Sequence, residues 1–385
     1  MSNKIPIQPP ILEWAIRESG MPAEIAYDKF PNLAKWMNES NQPTFIQLKE
    51  LSNFLKVPFG LFFLKEPPKE DSFSVEFRTI KNKSHNKLSK NLKDTIIDMD
   101  LRKNWMKEYR IKEGVSAVNF LESFNYHDSE ETVANKLQIL LNLKPNWQLK
   151  YKNAYDSFSY IRDTIENNGV LVMMNGIVGN NTQRNLDVSE FRAFALNDDF
   201  APLIFINRKD TDNGLLFSLI HEFIHIWMRE DDIFCNDDDI DNIEQKVNSY
   251  TSEFLVSRFF VLREFDPRAN AFGEISRIAK RLNVSTSVVA IKAYQLDLID
   301  KNTMEEIIQN ANYYFERTKE NREEKHEGGD FYNNTMSRLS KEFYCTVILQ
   351  AESGNIRFTD AYRLLGLKSN TYNEFKKRVE GKIYG

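Results

Sequence analysis

Cysteine is scarce in this chain of 385 residues, which has only Cys235 and Cys345 and no Cys-x-x-C pair. Two cysteines are too few for the disulfide framework of a small secreted domain. No run approaches the roughly 18 apolar residues that span a bilayer, and the N-terminal sequence MSNKIPIQPP lacks the apolar core of a signal peptide. The sequence therefore predicts a cytoplasmic protein that does not enter a membrane.

An excess of positive charge is also absent. The chain has 51 Lys and Arg against 56 Asp and Glu, a formal net charge of −5. This balance argues against a protein that coats nucleic acid without regard to sequence. Hydrophobic residues at 41% and charged residues at 28% are ordinary for a soluble globular protein, and the length allows two or three domains.

Helical periodicity dominates the chain. Two short apolar runs with β-branched residues, VLVMM (170–174) and PLIFIN (202–207), predict strands. The expected fold class is therefore α+β, predominantly helical, with a small sheet flanked by helical modules. The predicted divisions are a helical module at 1–66, a helical connector at 67–150, a mixed domain at 151–262, a helical accessory segment at 263–329 and a C-terminal helical segment at 330–385.

One motif carries recognisable chemistry. The apolar segment LLFSLIHEFIHIW contains His221, Glu222 and His225. Positions i and i+4 share one face of a helix, so the two imidazoles converge, as in a zinc half-site, and Glu222 is placed to act as general base. The alternative is a pair of histidines satisfied within an apolar helix. Burying two histidines and a glutamate without a compensating partner is costly, which favours the metal.

A catalytic zinc site needs a third protein ligand. Residues 241–260 have helical periodicity, which places Glu244, Asn248, Thr251 and Leu255 on one face. Glu253 and Asp241 are rival carboxylates. Asn248 follows Glu244 by one turn, and its amide could orient a histidine through the free ring nitrogen. Spacing alone leaves the choice among the three carboxylates open.

Several segments together resemble the ImmA/IrrE family of metallopeptidases in its longer form. The family pattern is a Phe-Arg-Gly segment, an apolar strand ending in Asn, His-Glu-x-x-His and then Glu-x-x-Ala-Asn-x-Phe-Ala-x-x-Leu-Leu. This chain has Phe191-Arg192-Ala193, the strand 202–207, the histidine motif, and a segment from Glu244 to Leu255. It departs from the pattern at Ala193, Val247, Tyr250 and Thr251, which changes packing volume and leaves every proposed ligand intact.

The resemblance implies a thermolysin-like zincin core in residues 151–262, one Zn²⁺ per chain and Glu244 as the third ligand. It also implies limited cleavage of a regulatory protein, a helix-turn-helix repressor or an antitoxin, in a stress, phage or toxin-antitoxin response. Arg192 and Tyr250 are weak candidates for contacts to the transition state or substrate. Strand 202–207 precedes the zinc helix and is a candidate edge for addition of a substrate strand.

The N-terminal module resembles the repressor-like helix-turn-helix fused to these peptidases. Such a module would bind operator DNA through its third helix, here predicted at Asn32–Ser40. However, residues 1–70 carry 8 basic and 8 acidic residues, and the recognition segment has only Lys35. DNA binding leans on phosphate neutralisation, so protein contact or homo-oligomerisation is the alternative role of residues 1–66.

Two rival functions remain open at this level. The chain could be a DNA-binding regulator whose peptidase-like domain acts as a sensor, or a defence component that acts by protein contact. Residues 278–300 have a second sequence pattern typical of a helix-turn-helix, and we interpret this segment as a packing subdomain around the peptidase.

Overall fold

A computed structural model describes residues 4–19, 22–55, 57, 59–67, 88–229, 237–323 and 329–384. The chain divides into two compact units, Met1–Ile96 and Ile97–Gly385. The finer divisions expected from the sequence stay predictions. Cys235, His85 and His326 lie outside the described residues.

The first unit is a small helical module. Its helices are α1 (Pro9–Glu18), α2 (Ala23–Lys29), α3 (Leu33–Met37) and α4 (Phe45–Leu55), followed by a 3₁₀ turn at Phe59–Phe63. The apolar positions of these helices close into one core, which includes Ile11, Leu12, Trp36 and Leu48. The predicted recognition segment folds as α3, which is only five residues long and buries both Leu33 and Trp36.

The second unit is built mainly of helices. They are α5 (Lys90–Lys112, which begins in the first unit), α6 (Glu130–Leu140), α7 (Ala154–Asn167), α8 (Asp212–Met228), α9 (Asp237–Leu255), α10 (Arg258–Glu264), α11 (Ala271–Leu282), α12 (Thr286–Gln295), α13 (Lys301–Glu323), α14 (Phe331–Arg338), α15 (Lys341–Glu352), α16 (Phe358–Leu365) and α17 (Ser369–Tyr384). Across the described ranges, none of the helices is long and apolar enough to cross a membrane.

The sheet confirms both predicted strands and adds a third. Strands β1 (Leu171–Asn175), β4 (Ala193–Leu196) and β5 (Leu203–Asn207) lie in the order β1-β5-β4, while β2 (Ile177–Val178) and β3 (Asn181–Asn185) form a separate hairpin. The predominantly helical α+β class is therefore confirmed. The prediction that 202–207 is an edge strand is wrong, because β5 pairs with β1 on one side and with β4 on the other.

Both faces of the sheet are covered, which explains why every residue of β5 is buried and why the strand is apolar up to its last residue, Asn207. Val172, Ile204 and Ile206 point to the same core as the apolar side chains of α7 and α8. On the other face, Met173 lies against the backbone at the start of α15, where the N–H of Ser340 approaches its sulfur at 3.2 Å. The sheet thus separates α8 from the C-terminal helices.

Arg162 on α7 ties the C-terminal helices to the sheet. Its guanidinium donates hydrogen bonds to the carbonyls of Val172, Ser337 and Leu339 at 2.7–2.8 Å. Its neighbour Glu166 accepts from the Lys341 N–H at 2.9 Å, and burial raises the pKa of the Glu166 carboxyl above its usual range. Residues 330–384 are consequently part of the second unit and not an appended tail.

Helices α11 and α12 form most of the second segment with a helix-turn-helix pattern, 278–300. They share the core of α8 through Ile278, Leu282 and Val289. This agrees with their interpretation as a packing subdomain. Lys292 on α12 reaches Glu253 on α9 at 2.7 Å, and both side chains are about 95% buried. The other carboxylate oxygen of Glu253 accepts from the Arg258 N–H at 3.0 Å.

We expect Lys292→Met to lower the free energy of unfolding by about 3–5 kcal/mol, because it leaves the Glu253 carboxylate buried without its cation. The double variant Lys292→Met with Glu253→Leu should recover most of that loss, since both charges are then gone. Denaturant unfolding measures both values. Lys280→Met, at an exposed position of α11, is the control and should change stability by no more than about 0.5 kcal/mol. A loss below 1 kcal/mol in the single variant would contradict the burial argument.

Candidate metal centre

A polar turn fixes the start of α8. β5 ends at Asn207, a fully buried residue whose amide donates to the Phe191 carbonyl at 3.2 Å and whose side-chain oxygen accepts from the Lys209 N–H. Thr211 then caps the helix by accepting from the Gly214 N–H at 3.1 Å. Such a cap satisfies a backbone donor that the first turn leaves unpaired.

Asp210 fills the space beside the first turn of α8. Its side chain is 1% exposed, and Arg192 donates to both carboxylate oxygens at 2.9 and 3.2 Å. A Cβ at Gly214 would lie 2.4 Å from the nearer carboxylate oxygen. Glycine at this position is therefore required by the buried Asp210 carboxylate and not by backbone conformation.

The other end of α8 is also held. The Tyr126 hydroxyl donates to the Met228 carbonyl at 2.7 Å, and the Trp227 indole donates to the Ser123 hydroxyl at 2.8 Å. Arg229 ends the helix in the left-handed conformation, with φ of 51°. Because both ends of α8 are held, the side chains in the middle of the helix point in fixed directions.

Two of those positions carry imidazoles that converge with a carboxylate from α9. The Nε2 atoms of His221 and His225 are 2.9 Å apart. His221 Nε2 lies 3.3 Å from one carboxylate oxygen of Glu244, and His225 Nε2 lies 3.5 Å from the other. The structure therefore brings the three predicted ligands together, with His225 buried and the other two side chains 15% exposed.

These separations fit a metal ion. Tetrahedral zinc with bonds of about 2.0–2.1 Å places neighbouring ligand atoms about 3.3 Å apart, close to the three distances here. Two imidazoles and one carboxylate are also the donor set of a catalytic zinc site that keeps one position for water. The Nδ1 of His221 is buried without a hydrogen-bond partner among the described residues.

Glu222 occupies the next position of α8 and is 8% exposed. Phe217, one turn before His221, stacks on its ring with centroids 6.2 Å apart. Burial removes Glu222 from most of the solvent, so its charge interactions are stronger than they would be in water. The sequence predicts Glu222 as the general base, but the contact between Phe217 and His221 was not predicted. Their i, i+4 spacing would have indicated it, because such residues are neighbours on one face of a helix.

Neither rival carboxylate is found at the histidines within the described residues. Glu253 forms the buried ion pair with Lys292, and the side chain of Asp241 lies outside what the structure describes. Asn248 is exposed, and the described contacts include no hydrogen bond from it to His221 or His225. Its role in orienting a histidine stays a prediction that this arrangement does not support.

The described contacts of the two weak candidates, Tyr250 and Arg192, are with groups other than the three ligands. Tyr250 follows Glu244 by six residues, about 120° around the helix, and it borders a cavity of about 610 Å³ with Tyr126, Asp128 and Glu130. Burial raises the pKa of its hydroxyl, and Glu130 and Asp128 add to that effect. Arg192 pairs with Asp210 at the start of α8, and its guanidinium lies 5.9 Å from the Phe315 ring. Arg192 is therefore placed to position α8.

We expect Gly214→Ala to lower the free energy of unfolding by about 1–3 kcal/mol, because the new methyl group overlaps the buried Asp210 carboxylate. Gly381→Ala, on α17 with nothing within 4 Å of its Cβ position, is the matched control and should raise stability by about 0.5–1 kcal/mol. Thermal and denaturant unfolding of both variants measures the difference. Equal effects of the two substitutions would show that Asp210 does not constrain Gly214.

Comparison with known families supports the reading of this geometry. Residues 168–294, about a third of the chain, match a family model described as the IrrE N-terminal-like domain. Residues 339–378 match a model described as a domain of unknown function (DUF8813). Searches of curated proteins and of solved structures gave no match. The first match contains His221, Glu222, His225 and Glu244, and it supports a metallopeptidase-like domain of the ImmA/IrrE type in this part of the chain.

Proposed function

We propose that the chain is a zinc-dependent endopeptidase that makes limited cuts in a regulatory protein. The observation that carries the proposal is the convergence of His221, His225 and Glu244 within hydrogen-bonding range of one another beside a buried Glu222. A family match that contains all four residues supports it.

The residues divide the chemistry between them. His221 and His225 from α8 and Glu244 from α9 would hold the ion. A zinc ion bound there would lower the pKa of a coordinated water and polarise the scissile carbonyl. Glu222 takes the proton from the attacking water and delivers it to the leaving amine. Its largely buried position shields the carboxylate from bulk water.

The substrate class rests on the family resemblance. We propose a helix-turn-helix repressor or an antitoxin as the target, cut in a stress, phage or toxin-antitoxin response in the cytoplasm. Comparing cellular proteins in the presence of the active chain and of its Glu222→Gln form would identify the target as a protein shortened only by the active chain.

The free edge of the sheet offers a place for the substrate backbone. The Asn207 N–H donates to the Arg192 carbonyl at 2.8 Å. Because backbone hydrogen bonds alternate along an antiparallel pair, the N–H and C=O groups of Phe194 and Leu196 also point toward β5. The N–H and C=O groups of Ala193 and Ala195 then point away from β5. Within the described residues β4 pairs only with β5, and α8 packs against β4. We therefore propose β4, in place of β5, as the strand to which an extended substrate adds.

We expect Glu222→Gln to retain zinc and to lose cleavage by about 10²–10⁴-fold, because the general base is gone while the ligands remain. Glu244→Ala should lose both, with zinc affinity falling by more than about 100-fold, since even changes outside the ligand set cost 10–100-fold. Metal analysis after dialysis and cleavage of the identified target measure the two properties. Gln245→Ala, an exposed neighbour on α9, is the control. Full cleavage by Glu222→Gln would overturn the proposed function.

We expect Ala193→Pro to raise KM by roughly 10-fold without changing zinc content, because it removes one outward N–H that would bond to the substrate. Proline is tolerated at the first residue of an edge strand when its nitrogen faces away from the sheet. Ala193→Gly keeps the N–H and should cleave with nearly the original KM. An unchanged KM in a folded Ala193→Pro protein would remove β4 as the substrate edge.

A further inference from the structure

The end of the chain has its own compact pattern, independent of the metal centre. α16 and α17 are separated by three residues, Gly366-Leu367-Lys368. Gly366 ends α16 with φ of 66°, and its N–H and that of Leu367 bond back to the Arg363 and Tyr362 carbonyls. Two helices joined by a three- or four-residue turn with glycine are the signature of a helix-turn-helix.

The three last helices share one small core. Ala361, Leu364 and Leu365 of α16 are buried, as are Tyr372, Phe375 and Val379 along one face of α17. Ring contacts join the helices: Tyr372 lies 5.7 Å from Phe358, and Phe375 lies 6.0 Å from Tyr344 on α15, measured between centroids. The matched domain of unknown function, 339–378, covers α15, α16 and most of α17.

The opposite face of α17 is exposed and polar. Ser369, Asn370, Asn373 and Lys377 are all exposed, and their spacing places the last three on one side of the helix. In a helix-turn-helix, the N-terminal residues of the second helix contact base edges in the major groove. Asparagine suits this role because its amide bonds to adenine through both N6 and N7.

Charge also distinguishes this region from the rest of the chain. Residues 357–382 contain seven Lys and Arg against three Asp and Glu, whereas the whole chain is negative. Arg363, Lys368 and Lys377 are exposed, and no ion pair involves them within the described residues. Free cations beside a helix that faces solvent are what phosphate contacts need.

We infer that α15–α17 form a helix-turn-helix that binds double-stranded DNA, with α17 as the helix that enters the major groove. The comparison with the first unit supports this placement. There the corresponding segment, α3, has five residues and one cation, Lys35, whereas α17 has 16 residues. The inference is independent of the proposed peptidase activity.

The turn of this motif is attached to the peptidase part of the unit. The Asn180 amide donates to the Gly366 carbonyl, and Arg338 donates to the Asn180 side-chain oxygen at 2.8 Å. The neighbouring residues of the hairpin, Asn181, Thr182 and Gln183, are exposed and uncharged. The surface beside the turn therefore brings no negative charge toward a DNA backbone.

The test is a selection of duplexes from random DNA by the full-length protein, followed by binding measurements on the enriched sequence over a range of salt. We expect Lys368→Gln and Lys377→Gln each to weaken binding and to reduce the slope of log affinity against log salt by about 0.9. Asn373→Ala should relax discrimination at one base position by about 5- to 150-fold. Zinc content and thermal unfolding should stay unchanged, because all three side chains are exposed.

Lys35→Gln in α3 is the matched control and should leave binding as it was. Loss of binding in that variant, with the α17 variants unaffected, would assign DNA to the first unit and overturn the inference. Failure to enrich any sequence would also overturn it, as would binding that ignores all three substitutions.

Discussion

Two imidazoles from α8 and one carboxylate from α9 lie within 4.8 Å of one another beside a core of apolar side chains, and the seating of these two helices holds them there. Desolvating such groups costs free energy that only a cation or a hydrogen bond returns. α8 can carry them because nearly every other face of the helix is buried against the sheet, α7 and α9. The ligands then have little freedom to turn away from one another.

The precision of the centre depends on contacts at a distance from it. Glu244 comes from α9, so the separation of its oxygens from the imidazoles depends on how α9 is seated. The buried pair of Lys292 and Glu253 fixes the far end of α9 against α12. At the start of α8, Arg192 and Asp210 fix the helix relative to β4 and β5. Both charges of the Lys292–Glu253 pair are buried, whereas only the Asp210 carboxylate is buried in the second pair, so the first pair carries the larger cost in desolvation.

The features that could be predicted from the sequence are those with a local pattern. The strands at 170–174 and 202–207 were visible as short apolar runs, and the histidines were visible because i, i+4 spacing directs both to one side. The strand order could not be predicted, because β4 is only four residues long and its pairing with β5 depends on tertiary contacts. The role of Tyr250 stays a prediction, because the sequence does not show which side of α9 faces a substrate. The partner of Arg192 depends on a turn that no periodicity describes.

The ion pair at the start of α8 has a consequence for the reading of related sequences. Since the Asp210 carboxylate occupies the volume that a Cβ at position 214 would need, the residues at 192, 210 and 214 form a linked set. A relative with alanine or a larger residue at position 214 must have lost or moved the acid at position 210. The arginine at position 192 then has no carboxylate to bind. Coordinated substitution of this triplet, rather than of the candidate metal ligands, would reveal which relatives seat α8 in the same way.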